Sequence, residues 1–124
     1  MATDADVKRI ALSLPGAEQV PGRFAFAVTN KGKAKPFVWV WMERVNPKKP
    51  RVANFEVVAV RVSSMDEKAR LLEEDSIALF DEPHYAGFPG LLVRLQKIRV
   101  PKLRRLITDA WRCQAPIDLK KRPR

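Results

Sequence analysis

Six consecutive apolar residues, Phe37-Val38-Trp39-Val40-Trp41-Met42, constrain this chain more than any other feature. Aromatic and β-branched residues in a run of this length read as a strand. Strict alternation puts Phe37, Trp39 and Trp41 on one face and Val38, Val40 and Met42 on the other. A strand apolar on both faces belongs in the middle of a sheet or under two covering layers. Just before it, Phe24, Phe26 and Val28 alternate with Ala25, Ala27 and Thr29, and Asn30-Lys31-Gly32-Lys33 carries turn residues. The pair therefore reads as a hairpin with Lys31, Lys33 and Lys35 at its tip. A third strand is expected over residues 56–62, with Val58, Val60 and Val62 inward and Ala59 and Arg61 outward. A further strand is expected over residues 91–96, where Arg94 interrupts an apolar run.

Helices are expected between and around these strands. Thr3, with Asp6 three residues on, can cap a first helix whose apolar positions are Val7, Ile10, Ala11 and Leu14, and Pro15-Gly16 stops it. Ser64-Met65-Asp66-Glu67 has the form of a capping box and opens a helix to about residue 74. Residues 77–80 form an apolar link of undefined state. Pro101 suits the first residue of a last helix with Leu103, Leu106, Ile107, Ala110 and Trp111 as its stripe, ended by Ala115-Pro116. All three tryptophans are expected to pack together in the core.

Length and composition bound the rest. A chain of 124 residues, 46% apolar and 31% charged, is one globular domain. No apolar run reaches the roughly 18 residues of a membrane span. The acidic opening Met1-Ala2-Thr3-Asp4-Ala5-Asp6 lacks a signal-peptide pattern, and a lone cysteine, Cys113, makes neither an internal disulfide nor a zinc site. A cytoplasmic protein without membrane association is expected.

The net charge is +10, and it is unevenly spread. Residues 1–64 carry 11 basic and 5 acidic side chains, residues 65–82 carry 2 and 7, and residues 83–124 carry 11 and 2. Residues 46–51, Asn46-Pro47-Lys48-Lys49-Pro50-Arg51, form a second basic loop, and Lys120-Lys121-Arg122-Pro123-Arg124 a basic tail expected to be mobile. Such a surface suits a polyanionic partner.

The segment Pro83-His84-Tyr85-Ala86-Gly87-Phe88-Pro89-Gly90 holds the one histidine and the one tyrosine of the protein. Together with Leu14-Pro15-Gly16-Ala17-Glu18, Phe26 leading to Gly32-Lys33, Leu92-Val93-Arg94-Leu95, Ala110-Trp111-Arg112 and Ala115-Pro116, it resembles the MmcQ/YjbR family. The resemblance covers nearly the whole chain. It implies a frataxin-like fold, a twisted antiparallel sheet with helices on one face, and DNA binding through hairpin wings. It supplies no catalytic residues. The chain departs from the family at Ala86, where a polar residue, often aspartate, is expected, which argues against a His–Asp dyad. Residues 46–54 are also longer and more basic than usual.

Weighed side by side, the candidate sites favour binding over catalysis. One histidine and one cysteine far apart give no nucleophile–base pair, and there is no phosphate loop or metal-ligand spacing. The acidic residues Asp66, Glu67, Glu73, Glu74 and Asp75 are the analogue of a frataxin iron ridge, but acidic clusters on a helix are ordinarily solvated, so no metal and no cofactor are expected. His84, Tyr85 and Phe88 either line a ligand pocket or plug the end of the core. Arg61 and Arg94 either stand beside flat side chains on an open sheet face, as in platforms for single-stranded nucleic acid, or snorkel and pair with a glutamate.

The expected fold is α+β in two layers: a single antiparallel sheet of at least four strands with helices packed on one face. One domain covers residues 1–118 and the basic tail residues 119–124. The expected function is non-enzymatic nucleic-acid binding, mainly to phosphates, through Lys31, Lys33, Lys35, Lys48, Lys49, Arg51, Arg61 and Arg94. The alternative is a small-ligand or protein-interaction module around His84, Tyr85 and Arg94. A monomer is favoured, with weak dimerisation left open.

Overall fold

The apolar run 37–42 lies inside a long strand with a partner on each side. In the computed structural model, which describes residues 1–43 and 48–120, the elements are α1 (Asp4–Leu12), β1 (Ala17–Gln19), β2 (Ala25–Asn30), β3 (Lys33–Glu43), β4 (Val52–Arg61), α2 (Met65–Glu74), β5 (Leu79–Phe80), β6 (Gly90–Arg94), α3 (Val100–Gln114) and α4 (Ile117–Lys120). The strands form one antiparallel sheet in the order β1-β2-β3-β4-β6-β5. The expected α+β fold with helices packed on one face of an antiparallel sheet is the observed one. Asn46 and Pro47 of the second basic loop, and Lys121, Arg122, Pro123 and Arg124 of the tail, lie outside the described residues.

The main core lies between the sheet and the helices. Phe26, Val28, Val38, Val58, Val60, Leu91 and Val93 face Val7 and Ile10 of α1, Leu71 of α2, and Leu103, Ile107, Ala110 and Trp111 of α3. Apolar burial on this scale is the main stabilising term, at about 25 cal/mol per Å². Thr3 and Asp6 cap α1 reciprocally, as their spacing predicts. Ser64 accepts from the Glu67 amide at the start of α2, but the Glu67 carboxylate pairs with Arg70 at 2.7 Å instead of closing the box.

Several expectations are corrected. The β2–β3 turn is only Lys31-Gly32, both with positive φ (54° and 78°), as a two-residue hairpin turn requires. Lys33 and Lys35 are therefore strand residues, and only Lys31 stands at the tip. Opposite residues of an antiparallel ladder share a face, and Lys35 lies opposite Val28, which faces the helices. Phe37 does not share a face with Trp39 and Trp41. A register shift after Phe26 makes Phe37 an extra residue that turns into the helix-side core.

The tryptophans divide likewise. Trp111 is buried among the helices, its Nε1 donating to the Pro15 carbonyl at 2.9 Å, whereas Trp39 and Trp41 lie on the opposite face of the sheet. The fourth expected strand ends at Arg94, because Leu95–Lys97 turns into a 3₁₀ helix. Pro101 occupies the second position of α3, not the first. The short elements β1, β5 and α4 were not anticipated. The boundary expected at residue 118 falls within α4, where Leu119 packs on the core beside Gly16.

Candidate functional site

The face of the sheet away from the helices carries the functional candidates. Val57, Ala59 and Leu92 form its buried floor, and Trp39, Trp41, Phe80 and Tyr85 pack on them. Each ring is half-buried, so part of it meets solvent. Phe80 meets Trp41 edge-on, with centroids 5.8 Å apart and planes at 78°. Phe88 lies 6.2 Å from Trp39 and 5.9 Å from Tyr85.

Arg61 and Arg94 stand on adjacent strands, Arg94 opposite Val57 and Arg61 opposite Gly90, four ladder positions apart. Both lie over aromatic rings. The Arg94 guanidinium carbon is 4.0 Å from the Phe80 centroid, and the Arg61 carbon is 5.2 Å from that of Phe88. Cation–π contacts of this kind contribute about 0.5–1 kcal/mol at exposed sites. Arg94 also donates from Nη1 to the Ile77 carbonyl at 3.0 Å. The Arg61 Nε is buried without a hydrogen-bond partner. Neither arginine pairs with a glutamate among the described residues.

A buried lysine holds the loop that follows β5. Lys68 of α2 is only 2% exposed, and its Nζ donates to the carbonyl oxygens of Tyr85 (2.6 Å) and Phe88 (2.9 Å) while pairing with Asp81 at 3.0 Å. Three acceptors offset the loss of ammonium hydration, which unpaired would cost several kcal/mol. The Trp39 Nε1 donates to the Tyr85 hydroxyl at 3.1 Å. Tyr85 and Phe88 are thus engaged with the protein itself. His84 is exposed and meets the Tyr85 ring edge-on at 5.7 Å. The sequence offered no signal for Lys68, since a helical lysine ordinarily reads as a wet-face residue.

The basic side chains are spread over several surfaces. Lys31, Lys33 and Lys35 line one shallow cleft with Asn30, on the helix-facing side of the hairpin. They do not join the aromatic face. Lys48 and Lys49 are exposed, and Arg51 donates to the Met42 carbonyl at 3.1 Å. Sequence reading passed over Arg104, Arg105 and Arg112, which are exposed on α3 and without ion pairs among the described residues. The acidic segment is partly paired: Glu67 and Glu74 with Arg70, Asp75 with Lys102 at 2.9 Å, and Asp81 with Lys68.

Two clefts open beside the aromatic rings. One, of about 680 Å³, is mostly apolar and includes Phe24, Pro36, Trp39, Met42 and Phe55 together with Arg23. The other, of about 380 Å³, is bounded by Trp41, Phe80, Arg94, Asn54, Glu56 and Gln96 together with Val57 and Lys97. Cys113 lies at a cleft between α2 and α3 that Arg61 also lines; burial pushes its thiol pKa up, and the Arg61 charge opposes that shift. Among the described residues no three His, Cys, Asp or Glu side chains converge as a metal site needs, and no helix is long and apolar enough to cross a membrane.

Known proteins resemble this chain in sequence over nearly its whole length. The uncharacterized proteins Rv2570 of Mycobacterium tuberculosis (strain H37Rv) and Mb2600 of Mycobacterium bovis are each 36% identical to the chain over 120 residues, covering 96% of it and 93% of the relative. No family model matches the chain. Among solved structures, Deinococcus radiodurans protein DR2400, described as a DUF419 domain, superposes with a TM-score of 0.63 at 15% identity, covering 90% of this chain and 77% of its own. At that identity the likeness concerns the fold.

Proposed function

The chain belongs to the family of the mycobacterial proteins Rv2570 and Mb2600, and from that premise we propose that it is a non-enzymatic nucleic-acid-binding protein of the MmcQ/YjbR kind. Kinship with MmcQ/YjbR is supported by the His84-Tyr85-Ala86-Gly87-Phe88-Pro89 segment and by a fold shared with a DUF419 domain. The reading assigns it to the cytoplasm, as a monomer that needs no cofactor.

One observation carries the proposal: Arg94 lies over the half-exposed Phe80 on the open sheet face, and Arg61 over Phe88 beside the α2–α3 cleft, in a protein with a net charge of +10. Aromatic faces stack on unpaired bases, and neighbouring cations attract the phosphates between them. The lysines of the β2–β3 hairpin and the arginines of α3 face other directions, and they add sequence-independent attraction to the backbone. The surface is therefore divided into a stacking face and separate basic patches, with little base-specific readout expected of the patches.

The test is fluorescence anisotropy with labelled single-stranded and duplex DNA and RNA across a salt series. Binding that weakens steeply with salt is the expected result, because neutralised phosphates release counterions. Absence of binding at low salt, or an affinity indifferent to salt, would overturn the reading.

A further inference from the structure

The geometry points to the cleft between Trp41, Phe80 and Glu56 as a pocket for one unpaired nucleobase that bears an exocyclic amino group. This rests on the nucleic-acid reading above and assigns it a site and a preference. The cleft, about 380 Å³, falls toward the lower end of the range of small-molecule sites, roughly 300–1,000 Å³.

Its walls have the chemistry of a base site. Trp41 and Phe80 meet edge-on, so the two rings offer surfaces at 78° to one another. Arg94 extends the aromatic wall with a guanidinium 4.0 Å from the Phe80 centroid. The rim is a carboxylate–amide pair: Gln96 Nε2 donates to Glu56 Oε1 at 2.8 Å, and the Glu56 amide donates to Asn54 Oδ1 at 2.9 Å. The Glu56 carboxylate is thereby positioned at the cleft while remaining exposed. A carboxylate repels phosphate and accepts hydrogen bonds from an amino group, as acidic side chains do from cytosine N4. A base therefore enters the cleft, and its phosphates lie outside, toward Lys97 and Arg94. Uracil and thymine lack the amino group and present a carbonyl to the carboxylate instead. In a duplex that amino group already serves pairing, so the pocket acts on single strands.

The experiment compares labelled oligo-dC, oligo-dT and a mixed duplex by anisotropy at one low salt concentration, for the wild type, Glu56→Gln and Trp41→Ala. Oligo-dC should bind about tenfold more tightly than oligo-dT, the effect of one hydrogen bond to a charged group. Glu56→Gln should reduce that ratio to about threefold or less, without weakening oligo-dT binding. Trp41→Ala should cost single strands roughly five- to a hundredfold and leave the duplex unchanged. Glu56 is exposed, so its variant keeps the test decisive even where Trp41→Ala fails to fold by circular dichroism. Equal binding of oligo-dC and oligo-dT, or an unchanged ratio in Glu56→Gln, overturns the pocket and leaves the broader reading intact. Failure of every oligonucleotide to bind removes both.

Discussion

Lys68 Nζ donates to the Phe88 carbonyl oxygen at 2.9 Å, so an amine on α2 sets the position of a ring that packs against Trp39 on the other side of the sheet. The connection ties the helix layer to the aromatic face through one buried charge. Replacing Lys68 with Met keeps the volume but leaves the Asp81 carboxylate without its cation, and leaves the Tyr85 and Phe88 carbonyls only the backbone amides of Phe88 and Gly90 as donors. A hydrogen bond to a charged group is worth about 1.5–3 kcal/mol, so losing the Lys68 contacts should cost about 2–4 kcal/mol and lower Tm by about 10 °C or more. Chemical denaturation of the two proteins measures this. A loss below about 0.5 kcal/mol would mean that the loop holds itself.

Acid should weaken the junction between α2 and β5. Asp75 accepts from the amides of Ala78 (3.0 Å) and Ile77 (3.1 Å) and from Lys102 (2.9 Å). These bonds, the Ala78 amide foremost, hold its carboxyl below the ordinary 3.8. The folded-state pKa is depressed, so the contribution is present above the unfolded value and is lost as pH falls through the folded one. Asp75→Asn should be less stable than wild type at about pH 7, and the two melting temperatures should converge as pH falls below 3.8 and through the folded value. A gap that stays constant as pH falls well below 3.8 would contradict the assignment.

Cys113 should be dispensable. Burial raises its thiol pKa, and Sγ donates to the Asp109 carbonyl at 3.2 Å. Alkylation should therefore be slow near neutral pH and accelerate only in alkaline solution. Cys113→Ser should leave nucleic-acid affinity within about twofold, under roughly 0.5 kcal/mol. A tenfold loss with the fold intact would give the thiol a role.

The lysines of the hairpin and the arginine over Phe80 should affect binding differently. With about four to six phosphate contacts, the slope of log K against log salt should lie near −3 to −5 for duplex DNA. Replacing Lys31, Lys33 and Lys35 together with Gln should make it shallower by up to about three units and leave base preference alone. Arg94→Gln should weaken single strands more than duplex, because stacking serves unpaired bases. An identical response of both substrates to both variants would mean a single undivided polyanion surface.

What could be read from the residues was what neighbours in sequence decide. Thr3 and Asp6 close their capping box three residues apart. The run 37–42 belongs to a central strand because no other position covers it, and Leu103, Leu106, Ile107, Ala110 and Trp111 bury one stripe of α3. That the Arg61 and Arg94 strands are neighbours was not legible, because the pairing of β4 with β6 joins segments distant in sequence. Of the candidate site, the arginines were legible and their ring partners were not, because Phe80 lay in a link too short to show a period.

Tertiary structure decided the rest. One extra residue in the β2–β3 ladder turns Phe37 away from Trp39, and a two-residue turn draws Lys33 and Lys35 into a strand that faces the helices. A period of two states which residues share a face, but a single shift exchanges the faces, and only the pairing partner fixes where it occurs. Lys68 is the clearest case. Burying its ammonium is unfavourable until Asp81 and the carbonyls of Tyr85 and Phe88 converge on it. That convergence depends on where the loop after β5 comes to rest against α2, which local sequence does not specify.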